Sequence, residues 1–353
     1  MAVNFPKENW AKIEKDYTSW WRGELDRPLI SVELTGVAPK MPKPEVGMYD
    51  SGATSEEIVL DWMYYLSGIK YMGDAFPNIR PCLGAGVNAA YMGAKKIIGD
   101  ASIWFEAEKE MTPDELHLEY IPNEQWFCKT CEIYRIAAEM FDGDVCLEMT
   151  DICNGIDPVE RFFSSEDFLM ALYEYPEEVK RLVWECHELF FKYYDELTET
   201  MGKSNPGHTC WGPMFSKTPW YMIQSDFSCM VGPDMFEEFI FPELDACCKK
   251  LDNAFYHLDG PGALKHLDKI LTIPELKGIQ WIPGDGQPNE KHWPEVYKKI
   301  RDAGKLIQIF CGEIDTVDVV AEQIGSGKGI FYCAQFDISH EAEVVSLLNR
   351  WGC

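Results

Sequence analysis

The sequence predicts an α/β protein, a (β/α)8 barrel of the TIM type with an elaborated N-terminal part, expected as one domain over residues 1–353. Two observations lead there. From about residue 126, short apolar runs alternate with helical stretches over some 200 residues, which is the pattern of a parallel sheet with helical crossovers. The chain also lacks a dinucleotide fingerprint, and its 353 residues suit a closed barrel better than a doubly wound sheet.

Taken in order, the elements read as follows. Trp10, Ile13, Tyr17, Trp20 and Trp21 recur at helical spacing, which describes an amphipathic helix laid on a core rather than an aromatic ligand cage. Residues 30–125 read as irregular, with Gly84, Gly86 and Gly93 spaced too loosely for a phosphate loop. This stretch is expected to cover one face of the barrel. Ser164, Ser165, Glu166 and Asp167 open a helix. Pro176 opens another, whose stripe of Val179, Leu182, Val183, Cys186, Leu189, Phe190 and Leu197 runs to Gly202. Apolar runs predict strands at 145–149, 208–211, 254–257, 278–282, 306–311 and 329–333. Between them Pro233 stands at a first helical position, and Gly304 closes the helix that carries Trp293, Val296, Tyr297 and Ile300.

Composition narrows the function. With 59 acidic against 32 basic residues the formal charge is −27, so DNA, RNA and anionic bilayers are repelled at long range. The N-terminal segment is charged where a secretory signal is apolar, and no run of about 18 apolar residues occurs. A cytoplasmic protein is expected. Thirteen scattered cysteines read as mostly buried thiols rather than a disulfide framework. Cys128 and Cys131 have redox or zinc-knuckle spacing, but no second pair follows.

In such a barrel the chemistry lies at the C-terminal ends of the strands. Four endings stand out: His257-Leu258-Asp259-Gly260, Trp281, Cys311-Gly312-Glu313 and Cys333. Closure of the barrel would gather His257, Cys311 and Cys333 around one axis, and imidazole with thiolate is a zinc donor set. Asp259 or Glu313 then serves as a fourth ligand or fixes the imidazole tautomer. Each residue alone has a plainer role: a strand-end cysteine usually packs, and a lone histidine is usually a satisfied polar group. Trp211, Trp220 and Trp281 either wall an apolar pocket or pack the barrel. His208 is expected to touch substrate, with His208 and Cys210 as a reserve ligand pair.

The stretch HLDGPGALKHLDKILTIPELKGIQWIPG, with CGEID and FYC after the next strands, resembles the C-terminal half of the uroporphyrinogen decarboxylase superfamily. So does SDFSCMVGPDMFEEFIFPEL, which contains Asp226, and the similarity reaches back to DICNGIDP around Asp151. It covers residues 140 to 350 and implies a (β/α)8 barrel. Porphyrin decarboxylases of the superfamily carry an arginine-rich N-terminal segment, whereas only Arg22, Arg27 and Arg80 precede residue 100 here. The chain is more similar to the zinc-dependent, corrinoid-linked methyltransferases. In their thiol-methylating members zinc is held by His-x-Cys and by a cysteine at the last strand. That resemblance matches His257 and Cys333 to ligands, puts Asp259 in place of the middle cysteine, and leaves Cys311 to supply the sulfur. It implies zinc, a corrinoid (cobalamin) on a separate partner protein, and a small methylated substrate or thiol acceptor. Asp226, Asp259 and Glu313 are expected to be catalytic, and His208, Trp211, Trp281 and Asp151 to bind substrate. Two other functions stay open on the same residues: a metal-free decarboxylase or lyase using Asp226, Asp259 and His208, and a non-catalytic module that binds the corrinoid partner.

Overall fold

The structure, a computed structural model, describes residues 3–45, 52–99, 103–310 and 312–353. Eleven strands are found among them: β1 Leu29–Thr35, β2 Lys70–Gly73, β3 Asn78–Ile79, β4 Lys95–Ile98, β5 Ile103–Glu106, β6 Cys146–Leu147, β7 Trp220–Gln224, β8 Asn253–Asp259, β9 Leu276–Ile282, β10 Leu306–Phe310 and β11 Ile330–Asp337. Seven of these form the central sheet, in the order β2-β1-β11-β10-β9-β8-β7. Every pairing in it is parallel except that of β2 with β1. The fold is therefore mixed α/β with a parallel central sheet.

The expected closed ring of eight strands is not what the ladders draw. β3 and β6 are two residues long and pair only with each other. Pro77 and Pro81 flank β3, and a proline has no N–H to give to a ladder. Side chains help to bind this margin. The Asp74 carboxylate accepts from Ile30 N at 2.9 Å. On the other side the Tyr221 hydroxyl accepts from Ile152 N at 3.0 Å and donates to Ile152 O at 2.8 Å. The predicted strand at 208–211 contributes only isolated bridges, Met149 with Cys210 and His208 with Ser216.

The region expected to be irregular holds β1, which lies inside the sheet between β2 and β11. Its residues do alternate, Ile30, Val32 and Leu34 with Ser31, Glu33 and Thr35, so the period-two signal of a strand is present there. The N-terminal helix Asn9–Trp21 buries Ile13, Tyr17 and Trp20, as its spacing predicts. Trp20 stacks on Phe255 at 6.1 Å and donates to Ile330 O at 3.1 Å, so this helix seals the end of the sheet where the strands begin. The helix Pro176–Met201 starts at its proline and buries the expected stripe. No helix among the described residues is long and apolar enough to cross a membrane.

Gly278 in β9 is required by close approach. A Cβ there would lie 2.2 Å from the Phe255 ring and 2.5 Å from the Leu306 carbonyl oxygen. Gly278→Ala is expected to cost about 1–3 kcal/mol through overpacking, read as a lowered urea midpoint with an unchanged slope.

Candidate active site

The strand register builds the site. Gln224 of β7 lies beside His257 of β8, His257 beside Gln280 of β9, and Gln280 beside Gln308 of β10. Lateral neighbours in a parallel sheet share a face, so these four polar side chains form one layer across otherwise apolar strands. Just beyond it, Asp259 ends β8 and Asp226 starts the short turn Asp226–Met230 that follows β7. The side-chain donor atoms of Asp226, His257 and Asp259 all lie within 4.8 Å of one another. His257 is half-buried and the two aspartates are exposed, so the group opens outward.

Neighbours hold this group in place. His257 Nδ1 hydrogen-bonds Gln280 Oε1, and Trp211 packs edge-on against the imidazole at 5.0 Å. The turn bearing Asp226 is pinned by buried Asp157, whose carboxylate accepts from the amides of Asp226 at 2.8 Å and Phe227 at 3.1 Å. Asp151 accepts weakly from Gly86 N at 3.4 Å.

The carboxyls are electrostatically crowded. Desolvation, and then the charge of Asp259, push Asp226 above the ordinary aspartate range, against the pull of His257. Desolvation and then Asp226 push Asp157 up as well, while Asp151 is raised by burial against the pull of Arg80. Like charges gathered in this way are relieved by a proton or by a cation.

The structure distributes the sequence-predicted residues unevenly. His257, Asp226, Asp259 and Trp211 come together, and Asp151 is close enough for its titration to feel Asp226 and His257. Cys311 lies outside the described residues. Cys333 is three strands from His257, with Gln280 and Gln308 hydrogen-bonded in between. It faces a cavity of about 370 Å³ that it shares with Glu33, Arg80, Glu148 and Trp211. Among the described residues, the group that could hold a metal around His257 consists of Asp226, His257 and Asp259. Glu313 is exposed and bound to Lys291 at 2.6 Å, which also holds Asp315 at 2.7 Å, so it is drawn away from the group.

Trp281 is fully buried and packs on Trp293, the residue that precedes the helix Pro294–Asp302. The two-residue alternation of β9 turns it to the helix side once Gln280 faces the site. Trp220 is buried as well, with its indole nitrogen donating to His208 O at 3.1 Å. His208 sits beside this strand beginning, whereas His257 pairs with Gln224 at the far end of β7. Burial lowers the pKa of His208.

Gln280, Gln308, Asp157 and the cavity residues Glu33 and Arg80 were not singled out in the sequence. A signal existed for the two amides: a glutamine inside each of the apolar runs GIQW and LIQIF, where an uncharged polar group has to find partners. In the cavity, Arg80 pairs with Glu148 at 2.7 Å. Burial raises Glu33 to about 7, and a hydrogen bond from Gln335 works against that rise.

A second group, His187, Glu243 and Cys247, also has metal-like spacing. All three residues are buried. Glu243 already accepts from Asn154 at 2.9 Å and from Cys247 at 2.9 Å, and lies 3.0 Å from His187 Nδ1. These contacts satisfy a buried carboxylate and leave no open position for a substrate.

No family model matches this chain, and no curated protein matches it in sequence. Among solved structures it is similar to a methyltransferase from Methanosarcina mazei, with 14% identity, a TM-score of 0.60, and coverage of 97% of this chain and 99% of that one. A bee venom hyaluronidase in complex with a hyaluronic acid tetramer aligns over 82% of this chain at a TM-score of 0.33, too low to carry an argument. The chain therefore shares its fold, over nearly its whole length, with a methyltransferase.

Proposed function

We propose that this protein is a metal-dependent methyltransferase that moves a methyl group between a small methylated compound or thiol and a corrinoid carried by a partner protein. The observation that carries this reading is the convergence of Asp226, His257 and Asp259 at the ends of adjacent parallel strands. The fold shared with the methyltransferase from Methanosarcina mazei and the resemblance of residues 140 to 350 to the corrinoid-linked branch support it. An outward-opening group of three donors is the form of a catalytic metal site, which keeps a position free for substrate. One imidazole and two carboxylates suit zinc and also harder divalent ions.

With Nδ1 engaged by Gln280, His257 would offer Nε2 to the ion, and Asp226 and Asp259 would each offer a carboxylate oxygen. A bound divalent ion would supply Lewis acidity, lowering a thiol pKa or stabilising charge on the group that loses the methyl. Asp157 holds the Asp226 turn by its two backbone hydrogen bonds, which keeps one ligand in place. Trp211 excludes water from one side of the imidazole, and it also lines the cavity of about 370 Å³ that we assign to the small substrate.

The test is metal content of the purified full chain by mass spectrometry, followed by methyl transfer assays in both directions, from free methylcobalamin to a thiol and from the methylated thiol to free cob(I)alamin. Near one divalent ion per chain, with turnover that depends on it, is the expected result. A folded protein that takes up no zinc, manganese or cobalt on reconstitution would sink the proposal, and metal-free turnover would favour acid–base chemistry by Asp226 and Asp259. Cys333→Ala is expected to leave the metal stoichiometry unchanged, because its thiol borders the cavity and not the three donors. Loss of metal in that variant would restore the cysteine to the ligand set.

A further inference from the structure

The sheet carries a line of hydrogen bonds that the proposed reaction does not use directly. It starts at His257 Nδ1, which contacts Gln280 Oε1. Gln280 Nε2 donates to Gln308 Oε1 at 3.0 Å, and Gln308 Nε2 reaches Cys333 Sγ at 3.5 Å. The line crosses four adjacent strands, β8, β9, β10 and β11. Both glutamines are fully buried, so water cannot substitute for a missing partner and each amide is committed at both ends.

We infer that Gln280 and Gln308 are positioning residues that fix the tautomer of His257, resting on the metal-site reading given above. Each amide turns its oxygen toward His257 and its nitrogen toward Cys333. An amide oxygen only accepts, so His257 Nδ1 carries the proton and donates it to Gln280. Nε2 is then left with the lone pair of the ring, available to the ion that Asp226 and Asp259 share. Metal-bound histidines generally need such a partner on the other ring nitrogen. A neutral amide serves here where a carboxylate would add charge beside Asp151, Asp157, Asp226 and Asp259. Gln308 acts one bond further away: by accepting from Gln280 Nε2 it decides which end of that amide faces the imidazole.

The experiment is long-range ¹H–¹⁵N correlation of the histidine rings in the metal-free full chain, paired with zinc titration of the same samples. Wild type is expected to show His257 protonated on Nδ1. Gln280→Met, nearly equal in volume but without an acceptor, is expected to lose that preference and to weaken zinc binding roughly 10–100-fold. Gln280→Glu keeps an acceptor and is expected to restore the tautomer. Gln308→Met should shift the tautomer in the same direction as Gln280→Met, by less. A proton on Nε2 in wild type overturns the inference whatever the variants do, as does a Gln280→Met protein with tautomer and zinc affinity both unmoved. If wild type binds no metal but the tautomer responds as described, the methyltransferase proposal fails and the positioning role stands.

Discussion

His257→Ala is expected to reduce bound metal from near one ion per chain to background and to abolish metal-dependent turnover. The loss should exceed the roughly 10–100-fold that follows removal of an outer partner, because a ligand itself is gone and the two remaining carboxylates repel each other. The fold is expected to survive, since His257 is half-buried and its ring contacts only Trp211 and Gln280 among the described contacts. Metal analysis alongside thermal unfolding checks both halves. The companion variant is His187→Ala, in the buried group with Glu243 and Cys247. It is expected to keep the metal but to lose about 3–5 kcal/mol of stability, because it strips a partner from a buried carboxylate. Metal lost from His187→Ala and kept in His257→Ala would transfer the site to the buried group.

The second large effect lies at the opposite end of the sheet. Asp74 is fully buried and receives both arms of Arg27, at 2.7 and 2.9 Å, together with Lys12 at 2.7 Å and the Ile30 amide at 2.9 Å. Its own amide donates back to Ile30 O at 2.8 Å, so one residue ties β1 to the end of β2 and to the N-terminal helix. Asp74→Ala is expected to cost about 3–5 kcal/mol, the usual consequence of breaking a buried pair. Activity per folded molecule should be unchanged, because no site residue touches it. The pH dependence has a definite sign. Burial alone would raise the Asp74 pKa, but Arg27 and Lys12 outweigh it and hold the carboxyl below its ordinary value of 3.8. A carboxyl depressed on folding stabilises the native state above its unfolded pKa and ceases to do so as pH falls through the folded one. Urea unfolding at neutral pH and near pH 3 should therefore show wild type and Asp74→Ala converging as the solution is acidified. A gap that stays constant would mean the effect is one of packing rather than charge.

Both sites show where local pattern suffices and where it stops. The helices Asn9–Trp21 and Pro176–Met201, and strands β8, β9, β10 and β11, were legible because amphipathic spacing, a proline start and apolar runs act locally. β7 was not, since a strand covered on both faces carries no alternation to read, whereas β1 does alternate, Ile30, Val32 and Leu34 with Ser31, Glu33 and Thr35, within a stretch read as irregular. Closure of the ring was expected from the chain length and the lack of a dinucleotide fingerprint, yet the margin around β3 is shaped by two prolines and by the Asp74 and Tyr221 side chains. At the site, His257 and Asp259 were visible as polar residues ending an apolar run, and Asp226 through the resemblance. Trp281 and Gln280 are neighbours in the same strand, and only the pleat decides that the glutamine faces His257 while the tryptophan faces a helix. Cys333 was selected as a ligand for being a thiol at a strand end, but which donors meet depends on lateral register across strands more than twenty residues apart.

The sequence by itself determined the α/β class, the parallel arrangement of the later strands and a formal charge of −27. These follow from composition and from periodicities of a few residues. Only the tertiary structure decided that Asp226 and Asp259 join His257 among the described residues, and that a pair of buried glutamines stands between His257 and Cys333. Those outcomes rest on which side chains the register sets within a few ångströms of each other, a property of the assembled sheet that no single segment contains.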